Sequence, residues 1–155
     1  MVARTYFRLA LIITFFVFGH SLTYSMNNNI DIALSESLTK YNDKSLLIID
    51  VRTENEWKVT GVIPHSKLIS MHDNNYQERL SFLEELKQEL NEYKSKDIAL
   101  ICASGARSEI VVNHLLAEGY NNIYHIPEGI TGKNKNGWLY MGYPMVKYKQ
   151  EEEAN

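Results

Sequence analysis

The sequence has a single cysteine, Cys102, among its 155 residues. One cysteine cannot form an internal disulfide, and it lacks the second thiol that a Cys-x-x-Cys exchange site needs. The five histidines, at positions 20, 65, 72, 114 and 125, have no close metal-ligand spacing, so the usual zinc sites cannot be built either. The sequence therefore predicts no metal and no cofactor. It leaves Cys102 as either a buried apolar side chain or a reactive thiol.

The sequence also lacks a long apolar run near its start. The apolar stretch at residues 9–18 is about ten residues long, whereas a membrane-spanning helix needs about twenty. Arg4 and Arg8 precede it, and small polar residues up to Ser25 follow it. This order is typical of a secretory signal peptide. We predict a signal peptide over residues 1–25 and export to the periplasm, with no stable membrane insertion after cleavage. Cleavage after Ser21 and an uncleaved anchor are the alternatives.

The chain also has no excess of positive charge. Residues 26–155 keep 14 of the 16 basic residues and all 19 acidic ones, a formal charge of −5. This balance argues against nucleic acid as a partner. Their length fits one domain, which we place at residues 31–146 after a linker at 26–30. Residues 147–155, with the acidic run 151–153, are predicted to be a charged, solvated tail.

Within this domain, strand-like and helix-like segments alternate. The continuous apolar runs at residues 46–49 and 97–101 suit strands buried on both faces of a parallel sheet. Apolar residues recur every three or four positions between Tyr76 and Tyr93, which predicts an amphipathic helix whose apolar stripe belongs to the core. Further strands are predicted at 67–70 and 122–126, and further helices at 31–41 and 108–118. The pattern predicts an α/β domain.

The residues that follow the strand at 97–101 form a short loop of small side chains before a helix. In order they are Cys102, Ala103, Ser104, Gly105, Ala106, Arg107 and Ser108. Such a loop directs several backbone N–H groups at one point, and the helix N-terminus adds partial positive charge there. Arg107 adds a permanent positive charge. We therefore predict that Cys102 is a catalytic nucleophile and that residues 103–108 bind its substrate.

Seven short motifs lie in a fixed order along the chain. They are Asp50-Val51-Arg52, Glu56-Trp57, Gly61-Val62-Ile63-Pro64, the loop at 102–108, Gly119-Tyr120, Glu128-Gly129-Ile130 and Gly142-Tyr143-Pro144-Met145-Val146. Their order resembles that of a single-domain rhodanese. The resemblance implies a rhodanese-like α/β fold, with a central, mainly parallel five-stranded sheet and helices on both faces. It also implies that the cysteine loop lies at the carboxyl end of a central strand.

The resemblance further implies a sulfurtransferase. Cys102 would take a sulfane sulfur from a small sulfur-anion donor such as thiosulfate and pass it to cyanide, a thiol or an acceptor protein. Arg107 would either hold the donor or brace the loop. Four residues separate Cys102 from Arg107, whereas tyrosine-phosphatase-like enzymes have five, which disfavours phosphoryl transfer. Two other functions remain open, a non-catalytic persulfide carrier and a module that senses oxidation at Cys102.

Overall fold

Four parallel strands form the centre of the structure, a computed structural model that describes residues 30–150. The strands are β1 (Leu46–Asp50), β2 (Lys67–Leu68), β3 (Asp97–Ile101) and β4 (Ile123–His125), in the spatial order β2-β1-β3-β4. The helices are α1 (Leu34–Asn42), α2 (Glu54–Thr60), α3 (Phe82–Glu92) and α4 (Ala106–Ala117). The predicted α/β class with a parallel sheet is confirmed.

The register of the sheet places two chain segments side by side at its carboxyl edge. Asp50 lies opposite Ile101 in the parallel β1–β3 pair, and the N–H of Val51 donates to the carbonyl of Ile101 at 2.9 Å. Residues that follow β1 and β3 therefore leave the sheet as neighbours. In open parallel sheets, this edge is where ligands usually bind.

The central strands bury both of their faces. On one face, Leu100 and Cys102 pack with residues of α3 and α4. On the other, Ala99 and Ile101 pack with the start of α1 and with Trp138. Because successive strand residues point to opposite faces, a continuous apolar run is what such a strand requires. This explains why the sequence predicts β1 and β3 so clearly.

The fifth strand is reduced to a single bridge in the part of the chain that the structure describes. Asp31 pairs with His125 in parallel, and the N–H of Ile32 donates to the His125 carbonyl at 3.1 Å. The prediction that a helix begins at residue 31 is wrong, because residues 30–32 lie along the edge of β4 and α1 begins only at Leu34.

The prediction for the third helix is wrong at its start. It begins at Phe82, and Tyr76 and Leu80, predicted to be core, are 63% and 105% exposed. The carboxylate of Asp73 accepts hydrogen bonds from the backbone N–H groups of Asn75 and Gln77 at 2.8 and 2.9 Å. A side chain that takes up nearby N–H groups in this way favours a turn over a helix.

The predicted terminal segments are only partly covered. The signal peptide at residues 1–25, most of the linker and residues 151–155 of the tail lie outside the described residues. The first part of the tail packs on α2, where Tyr148 contacts Trp57 with ring centroids 5.6 Å apart.

From residue 30 to residue 150, no helix is both long and apolar enough to cross a membrane. In the same range, no three His, Cys, Asp or Glu side chains form a group that could hold a metal ion.

Candidate active site

Cys102 directly follows β3 and is 1% exposed. Its side chain belongs to the core cluster that contains Val51, Val111 and Val112. Its backbone carbonyl accepts a hydrogen bond from the N–H of Ile130 at 2.8 Å. The thiol is therefore fixed by the sheet on one side and by the segment after β4 on the other.

The carbonyl groups of the cysteine loop point towards the segment after β4. The carbonyl of Ala103 accepts hydrogen bonds from the N–H groups of Thr131 and Gly132 at 2.9 and 3.1 Å, and from the Thr131 hydroxyl at 3.0 Å. Within residues 30–150, the N–H groups of Ala103, Ser104 and Gly105 donate to no protein acceptor. The first N–H groups of α4 also lack partners within the helix. The loop thus offers a set of free donors beside Cys102.

Two glycines allow this close packing. A Cβ on Gly105, whose φ is +89°, would lie 2.1 Å from the carbonyl oxygen of Pro127. A Cβ on Gly129 would lie 2.6 Å from the carbonyl oxygens of Cys102 and Ala103. Either side chain would push the loop and the segment after β4 apart. The contact between these two segments therefore requires glycine at positions 105 and 129.

The hydroxyl of Ser108 is the polar side-chain group nearest to the sulfur among the described hydrogen-bond contacts. It lies 3.6 Å from the Sγ of Cys102 and also donates to the carbonyl of Gly105 at 2.9 Å. A hydroxyl has one proton, so it can serve only one of these acceptors at a time. A negatively charged sulfur would compete for that proton, since hydrogen bonds to ionised acceptors are the stronger ones.

Arg107 is engaged by a carboxylate of α2. Its two terminal nitrogens donate to the two carboxylate oxygens of Glu56 at 2.8 and 2.6 Å. Glu56 also accepts from the N–H of Thr53 at 2.9 Å, completing a capping box at the start of α2. This is the geometry of a loop brace, one of the two roles that the sequence left open for Arg107. The guanidinium joins the first turn of α4 to the first turn of α2.

Burial and charge act in opposite directions on this ion pair. Burial alone would raise the pKa of Glu56, but hydrogen bonds from Arg107 and Thr53, together with the charge of Arg107, hold that pKa below its ordinary value. Burial would likewise lower the pKa of Arg107, yet Glu56 raises it, with smaller contributions from Cys102 and Asp50. Arg107 is therefore within electrostatic reach of the Cys102 sulfur although its hydrogen bonds go to Glu56.

We expect the stability from Glu56 to depend on pH. A carboxylate with a depressed pKa stabilises the folded state above its unfolded pKa, and this contribution is lost as pH falls through the folded pKa. Glu56→Gln keeps an acceptor for the cap but removes the charge. The free energy of unfolding in urea should be larger for the wild type than for Glu56→Gln at pH 7. This difference should shrink as the pH falls below 4.5, the ordinary pKa of a glutamate.

Glu84→Gln is the matched control, because Glu84 is an exposed acid of α3. Its effect on stability should be small and nearly constant with pH. If the Glu56→Gln difference were equally constant between pH 7 and pH 3, the charge of Glu56 would not stabilise the fold.

A second ion pair lies at the carboxyl end of β1 and is completely buried. Arg52 and Asp50 are 1% and 0% exposed, and the Nη2 of Arg52 lies 2.7 Å from the Oδ2 of Asp50. Arg52 also donates to the hydroxyl of Thr60 at 2.5 Å and to the carbonyl of Gly61 at 2.8 Å. It therefore fixes the end of α2 against β1. The Asp50-Val51-Arg52 motif therefore supplies a structural ion pair at the end of β1.

Residues 102–108 lie between the end of β3 and the first turn of α4, and their roles in catalysis and substrate binding stay predictions. Glu56 is a site residue that the sequence does not predict as such. In the sequence it is only part of the Glu56-Trp57 motif. The available signal is the spacing of Thr53 and Glu56, which is that of a capping box. That spacing places Glu56 on the first turn of α2, but only the fold shows that α4 lies opposite.

The fold and the loop define a class of protein: a parallel α/β domain that presents one cysteine, at the carboxyl end of a central strand, to free backbone N–H groups. The family model described as "Rhodanese-like domain" matches residues 34–136. This chain belongs to that family.

Sequence relatives and a solved structure match about two thirds or more of the chain. "Uncharacterized protein RP600" of Rickettsia prowazekii is 34% identical over 107 residues, covering 66% of this chain and 84% of the relative. A "tRNA uridine(34) hydroxylase" of Acinetobacter baumannii is 31% identical over 71% of this chain, but the chain spans only 37% of that relative. The crystal structure of Rv0390 from M. tuberculosis has a TM-score of 0.65 at 21% identity, with 76% of this chain and 97% of that one covered.

Proposed function

We propose that this protein is a sulfurtransferase that moves a sulfane sulfur from a small anionic donor to a thiophilic acceptor through a persulfide on Cys102. The observation that carries the proposal is the set of free N–H groups of residues 103–105 beside the buried thiol. Family membership supports it as well. A site of this kind stabilises negative charge on sulfur without a metal ion.

In the first half-reaction, the Cys102 thiolate attacks the outer sulfur of thiosulfate. A new S–S bond forms at Cys102, the S–S bond of thiosulfate breaks, and sulfite leaves with the electron pair of that bond. In the second half-reaction, cyanide attacks the outer sulfur of the persulfide, thiocyanate forms and the Cys102 thiolate is regenerated. Charge is conserved in both steps. This is covalent catalysis in two displacement steps.

The loop residues have separate tasks in this scheme. The N–H groups of Ala103, Ser104 and Gly105 would hold the negative outer sulfur of the persulfide. The hydroxyl of Ser108, 3.6 Å from Sγ, would donate to the sulfur whenever Cys102 is the leaving thiolate. Arg107 would contribute its charge from a fixed position, because each of its two terminal nitrogens donates one hydrogen bond to Glu56.

Intact-mass measurement tests the proposal. The protein treated with thiosulfate should gain one sulfur, about 32 Da, as expected for a persulfide. A gain that corresponds to sulfite or phosphate, or no gain with any of a panel of sulfane donors, would contradict the proposal. Loading without turnover to thiocyanate would instead favour the persulfide carrier, which hands its sulfur to an acceptor protein.

Export is a further part of the proposal, and it rests on residues 1–25 alone. An exported sulfurtransferase would meet the donors and thiols of the periplasm rather than those of the cytosol. The intact mass of protein recovered from the periplasm tests this directly. A mass that lacks residues 1–25 is expected, and a full-length mass would show that the segment is retained.

A further inference from the structure

A cavity of about 450 Å³ lies at the amino-terminal edge of the sheet, within the roughly 300–1,000 Å³ typical of small-molecule sites. We call it the basal cavity. It is bounded by the end of α1, the start of β1, the turn before β2 and the turn before β3. Lys96 in its lining precedes β3 and Cys102 follows β3, so these two residues lie about 20 Å apart at about 3.3 Å per residue.

The basal cavity has an apolar floor. Half-buried Leu47 and Tyr41 supply its accessible apolar surface, while Leu46 and Ile48, 5% and 2% exposed, line it from the core. The hydroxyl of Tyr41 donates to the carbonyl of Pro64 at 3.1 Å, which ties the end of α1 to the turn before β2. An apolar floor of this kind favours a ligand with an apolar body.

The rim of the basal cavity is basic. Lys44 and Lys96 line it together with His65, and no acidic residue is among the lining residues. Among the described residues, neither lysine forms an ion pair. Asp97, next to Lys96 in sequence, is bound by Lys40 at 2.8 Å. In a chain with a net formal charge of −3, this is a local excess of positive charge beside apolar surface.

Two corners of the rim have unusual backbone geometry. Lys44 and His65 have φ values of +59° and +61°, a conformation that glycine adopts at lower cost. Glycine at these corners would relax both turns, but it would remove a charge and a ring from the rim. At Lys44 this conformation ends α1, since the N–H groups of Lys44 and Ser45 donate to the carbonyls of Tyr41 and Lys40 at 3.1 and 3.0 Å.

We propose that the basal cavity binds a small organic anion with an apolar body, such as an aryl or short-chain carboxylate or sulfonate. The apolar body would lie on the floor at residues 46–48, and the anionic group would lie between Lys44 and Lys96. This site is separate from the cysteine loop, so the proposal stands or falls independently of the proposed sulfur transfer.

Titration with the fluorescent sulfonate 8-anilinonaphthalene-1-sulfonate tests the basal cavity. The full chain should bind one equivalent, and the double variant Lys44→Gln/Lys96→Gln should bind about tenfold more weakly, because two screened charge contacts are lost. Lys94→Gln/Lys133→Gln is the matched control, since both of these lysines are exposed and lie outside the cavity lining. It changes the net charge equally and should bind like the wild type.

Two further measurements locate the site and define the ligand. Amide NMR shifts caused by the sulfonate should cluster at residues 46–48 and 65–66 and should spare residues 103–108. The uncharged analogue N-phenyl-1-naphthylamine should bind more weakly than the sulfonate. Equal binding by both lysine variants, shifts centred on the cysteine loop, or equal affinity for the uncharged analogue would each overturn the proposal.

Discussion

Replacing Cys102 with serine should abolish the formation of thiocyanate from thiosulfate and cyanide. A serine hydroxyl is a far weaker nucleophile towards sulfur than a thiolate, and removing the nucleophile of a covalent mechanism costs at least about a thousandfold in rate. The same variant should gain no sulfur in the intact-mass measurement. The assay is the colorimetric detection of thiocyanate with purified wild type and variant at equal concentration.

A change in folding could mimic this result, because serine places a hydroxyl where the side chain is 1% exposed. Cys102→Ala avoids that polar group and should be equally inactive. Ser104→Ala is the matched control, since Ser104 belongs to the same loop and is only half-buried. It should keep most of the activity. Thiocyanate formation by folded Cys102→Ser or Cys102→Ala would refute the role of Cys102 as the sulfur carrier.

Asp50→Asn should cause the largest loss of stability among single charge changes in this protein. The substitution leaves the guanidinium of Arg52, 1% exposed, without its counter-charge, and breaking a buried ion pair costs about 3–5 kcal/mol. For a domain of this size, the thermal midpoint should fall by roughly 10–20 °C. Urea unfolding and calorimetry of wild type and variant measure the change.

Lys87→Gln provides the comparison for Asp50→Asn. Lys87 also forms a close ion pair, at 2.7 Å with Glu118, but both side chains are about one third exposed. Loss of this exposed ion pair should lower the free energy of unfolding by less than about 1 kcal/mol. Replacing both Asp50 and Arg52 with apolar residues should recover part of the stability, because no buried charge is then left alone. An Asp50→Asn variant as stable as Lys87→Gln would show that Arg52 finds other partners.

The sequence predicts the central part of the fold well because burial dictates its pattern. Strands β1 and β3 are buried on both faces. Both alternating sets of their side chains lie in the core, which is why their sequences are continuous apolar runs. The start of α3 is mispredicted because the periodicity at Tyr76 and Leu80 continues through a turn held by Asp73. Periodicity records which residues could share a helical face, but it does not record a side chain that takes up the backbone N–H groups first.

The candidate site is predictable to a similar degree. The cysteine loop is local in sequence, so its residues and its approach to a helix N-terminus are visible in one run of seven letters. The contact of Arg107 with Glu56 joins residues 51 positions apart. The packing of Gly129 on the cysteine loop likewise joins the segment after β4 to the residues that follow β3. Such contacts depend on which helices and loops the strand order of the sheet places side by side. No local sequence pattern predicts that strand order.

The depth of Cys102 has a consequence for oxidation of its thiol. A disulfide between two copies needs their Cα atoms within about 7 Å, which a sulfur buried at the end of β3 does not permit. A persulfide, however, would place the reactive atom about 2 Å beyond the Sγ of Cys102, the length of an S–S bond. The resting thiol is thereby shielded from pairing, while the loaded form would offer its outer sulfur to the acceptor. The same burial would thus hinder pairing between two copies in the empty form and leave the outer sulfur of the loaded form as the more accessible atom.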